Sequence, residues 1–226
     1  VASLQTNGSF ITEKSVGGKT LNPTVLYFFA LIAYACMSGA YLSIEAVRDT
    51  QANLSPLGAR RSITPYRKQF LIFIDMLVLI FIHFINVMIL TFYVNYILDI
   101  DLGNNYLAIL ATNFMGSLIG ICLGLMIGCI GKLTFSAKIG ICVSTISLTG
   151  FLSGLMFGNM KDVIEQNAPI LNRINPAAVL SDAYYCISVY NDTLRYQRCM
   201  ITLLIMSVLF LGIAFLGVRR ERYDSI

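Results

Sequence analysis

Asp75 and His83 are the only ionisable residues well inside the long apolar runs of this sequence. A charged side chain at the centre of a membrane-crossing helix costs about 2.5–3.5 kcal/mol on insertion scales, so such residues carry a role more often than not. A carboxylate and an imidazole have two kinds of work open to them here: relaying a proton, or tying helices together by hydrogen bonds and ion pairs. A single imidazole makes neither a metal cage nor a Ser/His pair by itself. His83 therefore reads first as a hydrogen-bonded packing residue and second as a proton relay. Asp75 lies about 9 Å beyond Gln69 at helical rise, close to the end of its run, where Arg67, Lys68 or another helix can pair with it.

Other chemistry is scarce. GGKT at Gly17–Thr20 resembles the end of a phosphate-binding loop, but the glycine that motif needs five positions before Gly18 is Glu13. The serine-hydrolase and zinc-protease signatures G-x-S-x-G and H-E-x-x-H are absent. Of the six cysteines, Cys36, Cys122, Cys129 and Cys142 fall in apolar runs, where a thiol acts as a small hydrophobe. Cys186 and Cys199 lie in or near a long loop, and a disulfide between them is open; no Cys/His grouping suggests a metal. Two glycosylation sequons, at Asn7 and Asn191, are too common a pattern to weigh. The chain reads as neither enzyme nor nucleic-acid binder, with no metal, cofactor or nucleotide site of its own.

The positions of these residues are set by a chain that is 57% hydrophobic and 12% charged. A soluble domain carries about 25% charged residues and could not bury this much apolar surface. Long runs rather than alternation predict an all-α, polytopic helical bundle. Five runs approach the roughly 20 residues a spanning helix needs: about Thr24–Ile44, Phe70–Val94, Tyr106–Ile130, Ile139–Gly158 and Met200–Val218. Basic residues alternate sides along these crossings. Arg48, Arg60, Arg61, Arg67 and Lys68 follow the first run; Lys132 and Lys138 follow the third; Arg219, Arg220 and Arg222 follow the last; the loop with Asp99 and Asp101 has none. Short basic loops stay in the cytoplasm. That places segment 1–23 outside, loop 45–69 inside, loop 159–199 outside and tail 219–226 inside, in one transmembrane domain spanning 1–226. The outer loop keeps apolar residues at helical spacing, Val179, Leu180, Tyr184 and Ile187, behind Asn175 as a cap and Pro176 in the first turn. Two short helices at the membrane surface, or dipping into it, are expected there.

Glycines form two further patterns. Gly116, Gly120, Gly124 and Gly128 recur every fourth residue in the third run, and Gly150, Gly154 and Gly158 repeat the device in the fourth. Such stripes let helix backbones approach closely. They predict tight packing, either between these two spans or with a second subunit.

Two stretches carry a family resemblance. IEAVRDTQANLSPLGARRSITPYRKQFL resembles the cytoplasmic segment of type-2 ABC exporter permeases, where a Glu past a span leads to a short helix, a Ser/Thr-Pro step, a basic residue and a Lys opening the next span; Glu45, Ser55, Pro56, Arg60 and Lys68 match in order. RINPAAVLSDAYY is similar to the Asn-Pro segment before that family's final span, through Asn175, Pro176 and Asp182. The tail RRERYDSI fits as well. The resemblance implies a membrane-spanning permease subunit whose loop of Glu45, Arg48, Leu54, Ser55, Pro56, Leu57, Arg60 and Arg61 is a coupling helix against a separate ABC ATPase. Arg60 and Arg61 would pair with acidic groups there and Leu54 and Leu57 would give apolar contact. It further implies a dimer of permeases, identical or paired with a relative, in a bacterial plasma membrane. ATP and Mg would sit on the partner ATPase, an outer gate would lie near Asn175, Pro176 and Asp182, and the exported cargo would be amphipathic, lipid-like, drug or peptide. The family has six spans, so the first is expected to be missing from this sequence. The alternative is an ATPase-independent secondary transporter or channel; it would want ionisable residues grouped at mid-membrane, and only Asp75 and His83 are offered.

Overall fold

The computed structural model describes residues 23–50, 55–62, 66, 68–130, 133–157, 160–190 and 192–221. Leu54, Pro65, Arg67, Gly158, Arg222 and the N-terminal segment through residue 22 lie outside the described residues. Every regular element among the described residues is a helix. In chain order these are α1 (Pro23–Met37), α2 (Gly39–Arg48), α3 (Pro56–Ser62), α4 (Lys68–Phe92), α5 (Tyr106–Gly128), α6 (Phe135–Leu152), α7 (Met160–Asn167), α8 (Pro169–Ile174), α9 (Pro176–Tyr185) and α10 (Thr193–Glu221). One π turn, Tyr93–Ile97, ends α4 and another, Cys186–Tyr190, ends α9. Five stretches are long and apolar enough to cross a membrane: Thr24–Arg48, Gln69–Ile97, Tyr106–Gly128, Phe135–Leu152 and Thr193–Gly217. The molecule is an all-α polytopic bundle.

α5 is its axis. Of its apolar window 72% is buried, against 17% for α10, so neighbours cover most of it and leave a stripe of Leu107, Leu110 and Phe114 exposed. α4 buries only a stripe: Ile72, Met76, Ile80, His83, Val87, Thr91 and Val94, three or four residues apart, face inward. Its other face exposes Phe73, Leu77, Phe81, Ile85 and Ile89, as suits a helix bordering lipid or another copy.

The first span is broken rather than straight, and runs one turn further than the sequence predicts. α1 stops at Met37, and Ser38 separates it from α2. Ser38 Oγ donates to Ala35 O at 2.7 Å, a local bond that competes with the helical ladder.

The glycine stripe of α5 faces this broken span, not α6. A Cβ at Gly116 would lie 2.5 Å from Cys36 Sγ, and one at Gly128 3.1 Å from Val47. At Gly120 it would strike the Cys36 carbonyl, and at Gly124 the Ala40 carbonyl. The stripe is thus used within the chain, and neither α6 nor a second copy is its partner. In α6 only Gly150 packs in this way, against Tyr34 of α1. Gly154 lies past the helix end with φ +96°, the left-handed turn that closes α6 at Leu152, so it is not a packing glycine.

The segment before the last span forms three short helices instead of two, and the third enters the bundle. In α9, Ala177, Ala178, Leu180, Ala183 and Tyr184 are fully buried. The Phe29 and Tyr184 rings stack at 6.2 Å between centroids. The last helix begins at Thr193, two turns before the apolar run, because Asp192 caps it: Leu194 N and Arg195 N donate to Asp192 Oδ1 at 3.0 and 3.2 Å.

Candidate coupling helix and bundle mouth

α3 lies at one end of the bundle and α7, α8 and α9 at the other. The first is built from its serine. Ser55 Oγ accepts from Gly58 N at 2.9 Å, the N-cap bond, while Pro56 fills the first helical position where no N–H is needed. The same hydroxyl donates to Arg48 O at 3.3 Å, fastening the start of α3 to the end of α2. Farther along, Arg61 Nη1 donates to Asp75 Oδ2 at 2.9 Å, fastening α3 to α4. A helix of seven residues cannot hold itself together in water, so these ties and the buried Ser55 and Gly58 give it a fixed place.

The arrangement sorts the predicted coupling residues. Leu57 is exposed at 45%, and Arg60 is exposed beside it on the same helical face. Arg61 is turned inward to Asp75, so its charge is engaged within the chain. That corrects one expectation, since Arg61 does not stand beside Arg60 for a partner; Asp75 finds its partner on another helix, α3, while Arg67 lies outside the described residues. Glu45 is exposed on the last turn of α2, and the Arg48 guanidinium sits 4.8 Å over the Phe135 ring at the start of α6.

His83 is a structural residue. The break at Ser38 leaves the Cys36 carbonyl without its helical donor, and His83 Nε2 lies 3.0 Å from it. A carbonyl only accepts, so Nε2 carries the proton. A Cβ on Gly39 would come within 2.6 Å of the imidazole, which is why α2 opens with glycine there.

At the opposite end, Asn175 caps α9 by accepting from Ala177 N at 3.0 Å, and its Nδ2 donates to Thr149 O of α6 at 2.9 Å. Pro176 opens the helix. Asp182 is the junction of three elements. Lys161 Nζ of α7 pairs with its Oδ1 at 2.5 Å, and Arg195 Nη2 of α10 approaches the same oxygen at 3.9 Å.

A polar network that the sequence reading did not single out lies one to two turns inside this mouth. The Tyr184 hydroxyl donates to Asn113 Oδ1, Thr91 Oγ1 lies 3.3 Å from the same oxygen, and Asn113 Nδ2 donates to Met88 Sδ at 3.0 Å. Beside it, the Tyr196 hydroxyl donates to Ala108 O at 3.1 Å. Both Asn113 and Tyr184 are fully buried. The signal was present: an amide inside a spanning run is as conspicuous as a carboxylate, because apolar surroundings penalise any unpaired polar group. Cys186 and Cys199 are adjacent, unbridged thiols. The hydrogen bond from Cys199 holds Cys186 below its ordinary pKa. Among the described residues no group of His, Cys, Asp and Glu could hold a metal ion.

A broken first span, a helix folded back into the bundle and five helices long and apolar enough to cross a membrane define a multi-pass membrane protein. Residues 3–216 match the family described as ABC-2 family transporter protein. That is nearly the whole chain, which belongs to this family and is a permease of an ABC-type transporter. No curated protein and no solved structure matches it.

Proposed function

We propose that this chain is the permease subunit of a bacterial ABC-2-type exporter, driven by ATP hydrolysis on a separate ATPase and forming the cargo path as a dimer. α3 carries the reading. It is capped, strapped to α2 by Ser55 and to α4 by Arg61, and it presents Leu57 and Arg60 outward. A helix held this way transmits displacement: a partner that grips Leu57 and Arg60 moves the ends of two spans at once. In this reading the chain performs no chemistry on the cargo, and function rests on two arrangements of the spans whose balance the partner shifts. In this reading α3 faces the cytoplasm, and Asn175, Pro176 and Asp182 hold the exit closed on the other side. The cargo is amphipathic, because the described spans offer few polar groups beyond those already bonded to one another. The ATPase-free alternative loses its two candidate relays, since Asp75 is engaged by Arg61 and His83 by a backbone carbonyl.

The test is purification of the protein from native membranes in mild detergent, beside Arg60→Glu and Leu57→Asp variants. Arg61 is left alone, since changing it would also strip Asp75 of its partner. An ATPase subunit that accompanies the parent and is lost from both variants supports the exporter. Absence of any ATPase from the parent overturns it in favour of a transporter without one.

A further inference from the structure

The mouth beside α9 holds a half-open cavity of about 530 Å³, within the usual size of small-ligand sites. The coupling helix makes no use of it. Its charges are divided by wall. α10 contributes Arg195 and Arg198, three positions apart and hence on one helical face; α7 contributes Asp162 and Glu165, spaced likewise. The Lys161–Asp182 pair lies among them, and α8 adds Arg173. The two signs are nearly balanced, which disfavours a ligand that is purely anionic or purely cationic.

Asn172 of α8 sharpens the picture. It lines the cavity and is only 5% exposed. Its Nδ2 donates to Glu165 Oε2 at 2.8 Å and to Lys161 O at 3.0 Å. Both amide hydrogens are therefore committed to acceptors, which fixes the orientation of the group. Its Oδ1 has no hydrogen-bond partner among the described residues. A buried acceptor left over beside a carboxylate calls for an N–H or O–H donor, and for a cationic one above all. Guanidinium groups on one wall and this acceptor pair on the other fit a ligand with an anion at one end and a protonated amine at the other. Depth selects its source. Leu26 lines the cavity from the first turn of α1, and Arg195 and Arg198 belong to the first two turns of α10. That is the level of the headgroups in a membrane whose apolar core the spans cross.

We propose that the cavity binds the headgroup of a zwitterionic phospholipid, its phosphate against Arg195 and Arg198 and its primary ammonium against Glu165 and Asn172. The binding rests only on the membrane-spanning fold; that the bound lipid is the cargo class rests on the exporter reading above.

The test is calorimetric titration of the full-length protein, purified in mild detergent with whatever subunits accompany it. The probes are dihexanoyl phosphatidylethanolamine, phosphatidylcholine and phosphatidylglycerol. The ethanolamine lipid should bind about tenfold more tightly than the choline lipid, which has no N–H, and the glycerol lipid, which has no cation. Glu165→Gln should bring the ethanolamine and choline lipids together. Arg198→Gln should weaken all three about tenfold. Equal binding of the three lipids by the parent overturns the proposal without reference to any variant. So does ethanolamine selectivity that survives Glu165→Gln, or affinity that survives Arg198→Gln, in protein of unchanged melting temperature. Free phosphoethanolamine competing as well as the lipid would overturn the lipid source. The titration needs no ATP and no ATPase, so a flat result leaves the coupling helix standing, and a failed ATPase co-purification leaves the lipid site standing.

Discussion

At the scale of single residues, polar groups inside the bundle answer local defects. His83 supplies the donor that the break at Ser38 removes from the Cys36 carbonyl. His83→Leu leaves that carbonyl buried and unpaired, which costs about 1–3 kcal/mol, read as a lowered melting temperature in detergent. The glycines separate just as clearly. Gly120 faces the Cys36 carbonyl, which cannot move aside without dragging the helix, whereas a Cβ on Gly140 meets nothing within 4 Å. Gly120→Ala should destabilise by about 1–3 kcal/mol. Gly140→Ala should be neutral or stabilise by about 0.5–1 kcal/mol, since alanine favours a helix interior. Equal melting temperatures for the two variants would refute the close approach of α5 to the first span. The Arg61–Asp75 pair is different, because its side chains keep 36% and 29% of their exposure. Half-wet ion pairs contribute about 0.2–1 kcal/mol, so Asp75→Asn should barely change the melting temperature. If α3 couples to an ATPase as proposed, its effect should show instead in ATPase stimulation, because it unfastens α3 from α4.

At the scale of elements, two short helices depend on a cap and a tether. Ser55→Ala removes the N-cap of α3 and its bond to Arg48 O, a loss of about 1 kcal/mol in a helix of seven residues. Such a helix should fray, and hydrogen exchange over 55–62 should quicken while that of α5 stays slow. α9 is held from its side by Tyr184 on Asn113 and at its start by Asn175. Tyr184→Phe leaves the Asn113 oxygen with only the distant Thr91 hydroxyl, so exchange over 176–190 should rise. If it does not, the aromatic stack on Phe29 alone seats the helix. The legibility of these two elements differed for a physical reason. Caps and prolines act within a turn and can be read from neighbours in sequence. The depth of α9 depends on Asn113, far away along the chain, and no local pattern contains it.

At the scale of the whole molecule, α5 is the most buried span, and α4, α6 and α10 keep broad apolar faces outward. The proposed function requires α3 and the α7–α9 mouth to lie on opposite sides of the membrane. In a cysteine-free background, a membrane-impermeant maleimide should label Glu165→Cys on intact cells and Arg60→Cys only after permeabilisation. Labelling of both from one side would invalidate the bundle as a membrane-crossing unit, and reversed labelling would invert the direction of coupling.

The amino-acid sequence by itself determined the class of the molecule and the approximate place of each crossing. Apolar run length and the cost of unpaired backbone in lipid leave a long helix as the only local solution, wherever its neighbours lie. It also determined the start of α9, because Asn175 and Pro176 act on adjacent residues. Pairings were decided only by the tertiary structure. The glycine stripe could have served any helix, and it serves the first span because the break at Ser38 brings Cys36, Ala40 and Val47 against it. Two arginines side by side look equivalent on paper; the turn of α3 sends Arg61 inward to Asp75 and leaves Arg60 outside. The charges of the mouth are spread over α7, α8, α9 and α10, and only the folding back of α9 into the bundle gathers them around one cavity.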